Sequence, residues 1–278
     1  MAFEYMINQP CKVKDTLTPE GLRSLVKNQG RCIALATLLR KQGKTDEEIL
    51  RYRFKVQEFT PSGTEVQEPS IRELLESIPP LKELEHHCTG CPANMGGAFG
   101  CYRNIRYPVT EKAEGWLAGI TQKAWSNSGI ARMPVEWILD KNLTGGIITQ
   151  MRADPKSSYF ERKDPVEIPV TLENGLFRTR TITTDQVLNL LMGLDRMQKP
   201  LMLPLLYFSG GLSFSEEEPK PGMYPLVSKW TDDTGKVSWA LFHFYPVIGE
   251  DDSTRMFKDY FRALFMAYCL DRDVYQSV

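Results

Sequence analysis

Two spacings of apolar residues alternate along this chain, one helical and one of period two. Leu22, Leu25, Val26, Ile33, Ala34, Ala36, Leu38 and Leu39 recur at helical intervals and predict one or two helices, with Gly30 as the point of division. Thr45 followed by Glu48 matches a capping box, in which each residue satisfies the other's backbone donor. Tyr52, Phe54 and Val56 then alternate with Arg53, Lys55 and Gln57 as in a half-buried strand, and Pro61, Ser62 and Gly63 predict a turn. Ser70 with Glu73 forms a second capping box. The helix it opens is expected to stop at Pro79 and Pro80, which lack the backbone donor a continuing helix needs.

Further on, Ala113, Trp116, Leu117, Ile120 and Ala124 mark one face of a helix that Gly129 is expected to close. Pro134 suits the first turn of another helix, carrying Val135, Trp137, Ile138 and Leu139. Residues 166–172 and 176–182 flank Glu173, Asn174 and Gly175 as a hairpin, and Thr183 with Gln186 caps a helix expected to reach about Gln198. A second hairpin is expected over residues 226–245, turning through Asp232, Asp233, Thr234 and Gly235. The last helix, opened by Ser253, puts Met256, Phe257, Tyr260, Phe261, Leu264, Phe265 and Tyr268 on one broad side, which reads as core.

This order of elements predicts an α+β fold of helices and antiparallel hairpins, with an irregular Cys/His-rich metal loop. We divide it as residues 1–80, helical and strand; 81–110, the loop; and 111–278, a C-terminal α+β region, the three together also reading as one continuous domain. With 34 basic and 35 acidic side chains among 278 residues, the near-zero net charge excludes bulk attraction to nucleic acid or an anionic membrane. Residues 1–10 lack the basic start and apolar run of a secretory signal. The longest apolar stretch, Pro200 to Phe208, is far shorter than the ~20 residues that cross a bilayer, so no membrane contact is expected. Six cysteines are too few for a disulfide scaffold of this size, which suits a reducing cytoplasm.

Chemistry concentrates in one place. His86, His87, Cys88, Thr89, Gly90, Cys91 and Pro92 lead through Gly96, Gly97 and Gly100 to Cys101. Cysteines three apart bring two thiolates to one ion across a tight turn, and the glycines let the chain fold back so that Cys101 reaches it too. His86 or His87 completes a Cys3His set for a structural zinc, His86 having the easier reach. The rival is an iron–sulfur cluster, which favours thiolates and a proline after cysteine, and whose fourth ligand would be a histidine or one of Cys11, Cys32 and Cys269. Reduced cysteines packed as small apolar groups are the plain alternative.

Other readings of these residues are weaker. A zinc deaminase needs His, one residue, then Glu upstream of its cysteines, whereas Glu83 and Glu85 precede the histidines. A thioredoxin-type pair should open a helix after a strand, and a Cys nucleophile using His243 or His87 as base needs a proximity that sequence does not reveal. There is no phosphate loop, GxGxxG, HExxH or GxSxG motif. After Cys101, Tyr102, Arg103 and Arg106 form a short aromatic and basic segment suited to a partner, another protein before a nucleic acid. Residues 1–60 also lean basic, with eleven Lys and Arg against seven Asp and Glu. The acidic stretch at Glu216, Glu217 and Glu218 reads as a solvated loop, with a lid or partner contact as the sharper alternative. The expectation is a zinc-stabilised cytoplasmic binding or regulatory module. Its alternatives are an iron–sulfur protein with a redox or sensing role, and an enzyme with a pocket in the C-terminal half.

Overall fold

A computed structural model describes residues 2–60, 63–127, 129–155, 158–172, 178–215, 227–231, 234–244 and 247–277. Strand β1 (Ala2–Ile7) opens the chain. Helices α1 (Lys12–Lys41) and α2 (Asp46–Arg51), the hairpin β2 (Val56–Thr60) and β3 (Gly63–Gln67), and helices α3 (Ile71–Glu76) and α4 (Pro79–Leu84) follow. After β4 (Tyr102–Arg106) come α5 (Glu111–Ser126), α6 (Met133–Asp140), α7 (Gly146–Ala153), β5 (Glu167–Leu172), β6 (Arg178–Thr183) and α8 (Thr184–Met192). The chain continues through β7 (Arg196–Met197), α9 (Lys199–Phe208), β8 (Leu212–Ser215), β9 (Val227–Thr231), β10 (Val237–Phe242), α10 (Asp252–Cys269) and β11 (Val274–Ser277). Helices and antiparallel strands are thus mixed as the patterning predicts. No described helix is long and apolar enough to cross a membrane.

The chain divides into two compact units, residues 10–100, and residues 1–9 with 101–278. In the first, both capping boxes form, with Thr45 accepting from the Glu48 N–H and Ser70 from the Glu73 N–H. Both are local devices, closed within four residues, so sequence alone fixes them. Cys32, Leu39, Ile49 and Ile71 pack together as the core, flanked by Leu35, Ala36, Leu50, Phe54 and Leu74. The expected division at Gly30 is displaced, because α1 runs through Gly30 and kinks at Thr18 (φ 60°, ψ 161°). Thr18 precedes Pro19, whose ring disfavours helical backbone in the residue before it. The strand expected from Tyr52 starts at Val56 instead; Arg53 keeps a single bridge to Ser70. Pro79 does not merely stop a helix, since it occupies the first turn of α4, where its missing donor costs nothing. Pro61 and Ser62 of the expected turn lie outside the described residues.

The second unit is organised on a four-stranded antiparallel sheet in the order β4-β1-β11-β7. Residues Phe3, Tyr5 and Ile7 share one face by strand alternation, and all three are buried. Helix α10 covers that face, as its apolar stripe predicts, with Tyr260 edge-on to Phe3 and Tyr5 at 5.6 and 5.0 Å between ring centres. Its cap lies two residues before the expected Ser253. Asp251 is its N-cap and accepts from the Thr254 N–H at 2.9 Å. The β5–β6 hairpin packs on α5, and β8-β10-β9 form a separate sheet. Helix α8 starts at its Thr183–Gln186 capping box but stops at Met192, well before Gln198. Residues 173–175, 232–233 and 216–218, where two turns and the acidic loop were expected, lie outside the described residues.

Candidate metal centre

The segment from Glu85 to Gly100 is built as a closed loop. A 3-10 turn carries Glu85 to Cys88, after which the Cys91 N–H donates to the Cys88 carbonyl (3.3 Å) and the Asn94 N–H to that of Cys91 (3.0 Å). Asn94 cross-braces the loop, its Nδ2 donating to the Cys88 carbonyl (3.0 Å) and its Oδ1 accepting from the Gly96 N–H (2.9 Å). Ala93, Met95 and Phe99 are buried and anchor it. The glycines are used where backbone demands them, as Gly90, Gly96 and Gly97 all have positive φ. At Gly100 a Cβ would stand 2.1 Å from Asn94 Oδ1 and 2.5 Å from the Gly96 carbonyl oxygen, so the close approach admits no side chain. Phe99, although not glycine, also has positive φ (56°).

A backbone donor at Phe99 favours the charged form of the Cys88 sulfur. Burial raises the Cys88 thiol above its ordinary range; the Phe99 donation opposes this, and charge on Cys11, Cys91 and Glu85 pushes it up further. Donation from a backbone N–H to a cysteine sulfur stabilises the thiolate, the form that binds metal. Cys88, Cys91 and Cys11 are all half-buried and thus reachable. Cys11 sits at the N-cap of α1 with extended backbone and no side-chain capping bond, and α1 packs against both α4 and the turn carrying Cys88.

The other nominated residues fare differently. His86 and His87 are exposed, and their rings lie against each other at 3.9 Å between centres. Cys101 is buried beside β4 and belongs to the other unit, so its candidacy rests on sequence position alone. Tyr102 is also buried, which corrects its expected role as a partner-facing residue. Arg103 is half-buried, whereas Arg106 is exposed and lies 3.9 Å from Asp252. Cys32 belongs to the core, and Cys269 is exposed at the end of α10. Among the described residues, no three His, Cys, Asp or Glu side chains are set for one metal ion. The turn joining Cys88 to Cys91 was legible from spacing.

Two other arrangements bear on the enzyme reading. Glu114 and Asp185 are buried carboxylates that share Arg152, with Arg152 Nη2 at 2.9 Å from Glu114 Oε2 and 2.7 Å from Asp185 Oδ1. Thr184 also donates to Glu114, and the guanidinium lies over the Phe160 ring, so the group reads as a satisfied internal brace. A groove of about 420 Å³ is lined by Ile130, Met133, Leu203, Pro204, Lys199 and Tyr268, and Lys199 is held by Asp271 at 2.6 Å. His243, just after β10, hydrogen-bonds Ser213 on β8. The chain matches no protein family, no curated protein and no solved structure, so its function has to be argued from these residues themselves.

Proposed function

We propose that the Cys88–Cys91 knuckle binds a metal ion through thiolates and that the protein is a metal-stabilised binding or regulatory module. In the first reading the metal is a structural zinc, with Cys88 and Cys91 as ligands and Cys101 and His86 or His87 as sequence candidates for the rest. The observation that carries this is the closed turn joining the two cysteines, in which the Cys91 N–H donates to the Cys88 carbonyl (3.3 Å) and Asn94 Nδ2 to the same oxygen (3.0 Å), with Phe99 of the same loop held in the left-handed region (φ 56°). A non-glycine residue held in that region costs about 1–3 kcal/mol and persists where surrounding structure requires it. Loading would draw the side chains inward, since zinc holds sulfur at ~2.3 Å. Arg106, exposed on β4, is the residue we propose for a contact with another protein.

A second reading is an iron–sulfur centre, which the thiolates of Cys88 and Cys91 would also suit. A cluster attaches its thiolates to different irons and therefore accepts sulfurs set further apart than one zinc does. Pro92 directly after Cys91 suits it as well. Elemental analysis and visible absorption of protein purified anaerobically, without chelator or affinity metal, separate the two. A colourless protein with stoichiometric zinc supports the first, and a brown one with iron and inorganic sulfide supports the second. Protein with neither metal, unable to take up either on reconstitution, overturns both.

A further inference from the structure

We infer that Cys88 and Cys91 form a reversible disulfide, which makes the turn between them a thiol–disulfide site for small-molecule oxidants. The inference goes beyond the metal reading and stands without it. Residues 88–91 make a type II β-turn, with Thr89 (φ -67°, ψ 123°) and Gly90 (φ 75°) at its two central positions and the Cys91 N–H donating to the Cys88 carbonyl at 3.3 Å. Such a turn keeps its end Cα atoms within ~7 Å, and a disulfide spans Cα atoms about 4.4–6.8 Å apart. The backbone therefore holds the two cysteines within bridging reach before any bond forms. Asn94 braces that arrangement, its Nδ2 donating to the Cys88 carbonyl at 3.0 Å. Thr89 and Gly90 are exposed and both cysteines are half-buried, which opens the sulfurs to a small oxidant. The other cysteines lack this setting. Cys32 directs its sulfur to the Ile71 carbonyl inside the core, Cys101 is buried, and neither Cys11 nor Cys269 has a second cysteine within one turn of chain.

A low-molecular-weight disulfide such as oxidised glutathione is the electron acceptor. One cysteine thiolate attacks a sulfur of that disulfide and expels a glutathione thiolate, leaving a mixed disulfide on the protein. The second cysteine thiolate attacks the protein-bound sulfur, the Cys88–Cys91 bond forms, and the second glutathione leaves. The two protons given up by the cysteines pass through solvent to the departing thiolates. Two protein thiols are oxidised and one small disulfide is reduced to two thiols; excess thiol runs the exchange backwards. Sulfurs joined in this way are no longer thiolates, so oxidation would exclude a metal from them. Gly90 serves the closed form, because the third position of a type II turn needs positive φ, which alanine adopts only under strain. A Cβ at Gly90 would meet nothing within 4 Å, and the same holds at Gly97 (φ 74°), which lies outside the turn. The two glycines thus differ in where their strain would fall and not in packing.

The test equilibrates full-length protein, reduced and freed of metal by a chelator, in anaerobic glutathione buffers of graded oxidising strength. Free thiols are then trapped by alkylation and read by intact and peptide mass spectrometry. Wild type should gain one internal disulfide, mapped to Cys88 and Cys91 and reversed by excess thiol. Cys11→Ser and Cys269→Ser should form it with the wild-type equilibrium constant. In Gly90→Ala the reduced turn can relax and the closed ring cannot, so the constant should fall about 5–30-fold, whereas Gly97→Ala should match wild type. A wild type that stays a dithiol, or stops at mixed glutathione adducts, in every buffer overturns the inference. A map joining Cys88 or Cys91 to a different cysteine does the same, and equal shifts in Gly90→Ala and Gly97→Ala overturn the part given to the turn. All of these are measured without metal, so failure here leaves the metal reading standing, and failure of metal uptake leaves the disulfide standing.

Discussion

Replacing Arg152 by Met is expected to destabilise the second unit severely. The guanidinium is 5% exposed and is hydrogen-bonded to Asp185 Oδ1 through Nε (2.9 Å) and Nη2 (2.7 Å). It also donates to Glu114 (3.1 and 2.9 Å) and to the Arg162 carbonyl (2.8 Å). Its carboxylate partners are 0% and 3% exposed, so neither can turn to water when the cation is gone. Breaking a buried pair from one side costs about 3–5 kcal/mol, because the charge left behind is uncompensated. At about 2–4 °C per kcal/mol for a unit of this size, the melting temperature should fall by about 6–20 °C. Thermal and urea unfolding of Arg152→Met supply the number, and the triple variant with Glu114→Gln and Asp185→Asn supplies the control. With all three charges removed, much of the loss should return, since an uncharged buried set avoids the stranded anions. A loss below about 1 kcal/mol in Arg152→Met, typical of an exposed ion pair, would refute the reasoning.

Gly100→Ala forces a Cβ against Asn94 Oδ1 and the Gly96 backbone, and should cost about 1–3 kcal/mol in the unit of residues 10–100, read by urea unfolding, whereas Gly97→Ala meets only the strain of positive φ. At 1.4 kcal/mol per decade, the same distortion should weaken metal binding by about 5–150-fold if loop and site are one structure. Asp251→Ala should cost about 0.5–2 kcal/mol, by removing the cap of α10 and the 2.7 Å bond from Thr110. Burial works to raise the Asp251 carboxyl, but the Thr254 N–H and the Thr110 and Thr254 hydroxyls hold it below its ordinary value. A depressed acid contributes stability above its unfolded value of about 3.9 and loses it as pH falls through the folded value. The gap between wild type and Asp251→Ala should therefore narrow below pH ~4, and a gap constant down to acid unfolding would contradict the assignment. Cys91→Ser should release metal and speed amide exchange across residues 86–100, without shifting the urea midpoint of a signal from α10.

Elements whose stabilising partners are close in sequence could be read before the fold was known. The boxes at Thr45–Glu48, Ser70–Glu73 and Thr183–Gln186 are closed by residues three apart, and the stripe from Phe257 to Phe265 declares its own buried face. The central sheet was illegible for the opposite reason. β1 lies between β4 and β11, strands that come from near residues 100 and 275, and nothing local in Ala2 to Ile7 names either partner. Proline misled in a definite way, since Pro79 opens α4 where a stop was expected, and Pro19 sets the kink in α1 where a division was expected at Gly30. At the candidate site, the Cys88–Cys91 spacing and the glycines around it were readable because a knuckle is a local turn. Tyr102 looked like a surface aromatic beside two arginines, yet strand alternation in β4 says nothing about which of its faces is covered.

X-ray absorption at the edge of whatever metal the anaerobically purified protein carries tests the metal–thiolate claim most directly. A shell of sulfur neighbours, at ~2.3 Å if the metal is zinc, is the expected result, with fewer sulfurs per metal in Cys91→Ser. A first shell of nitrogen and oxygen alone, or an unchanged sulfur shell in Cys91→Ser, would contradict it.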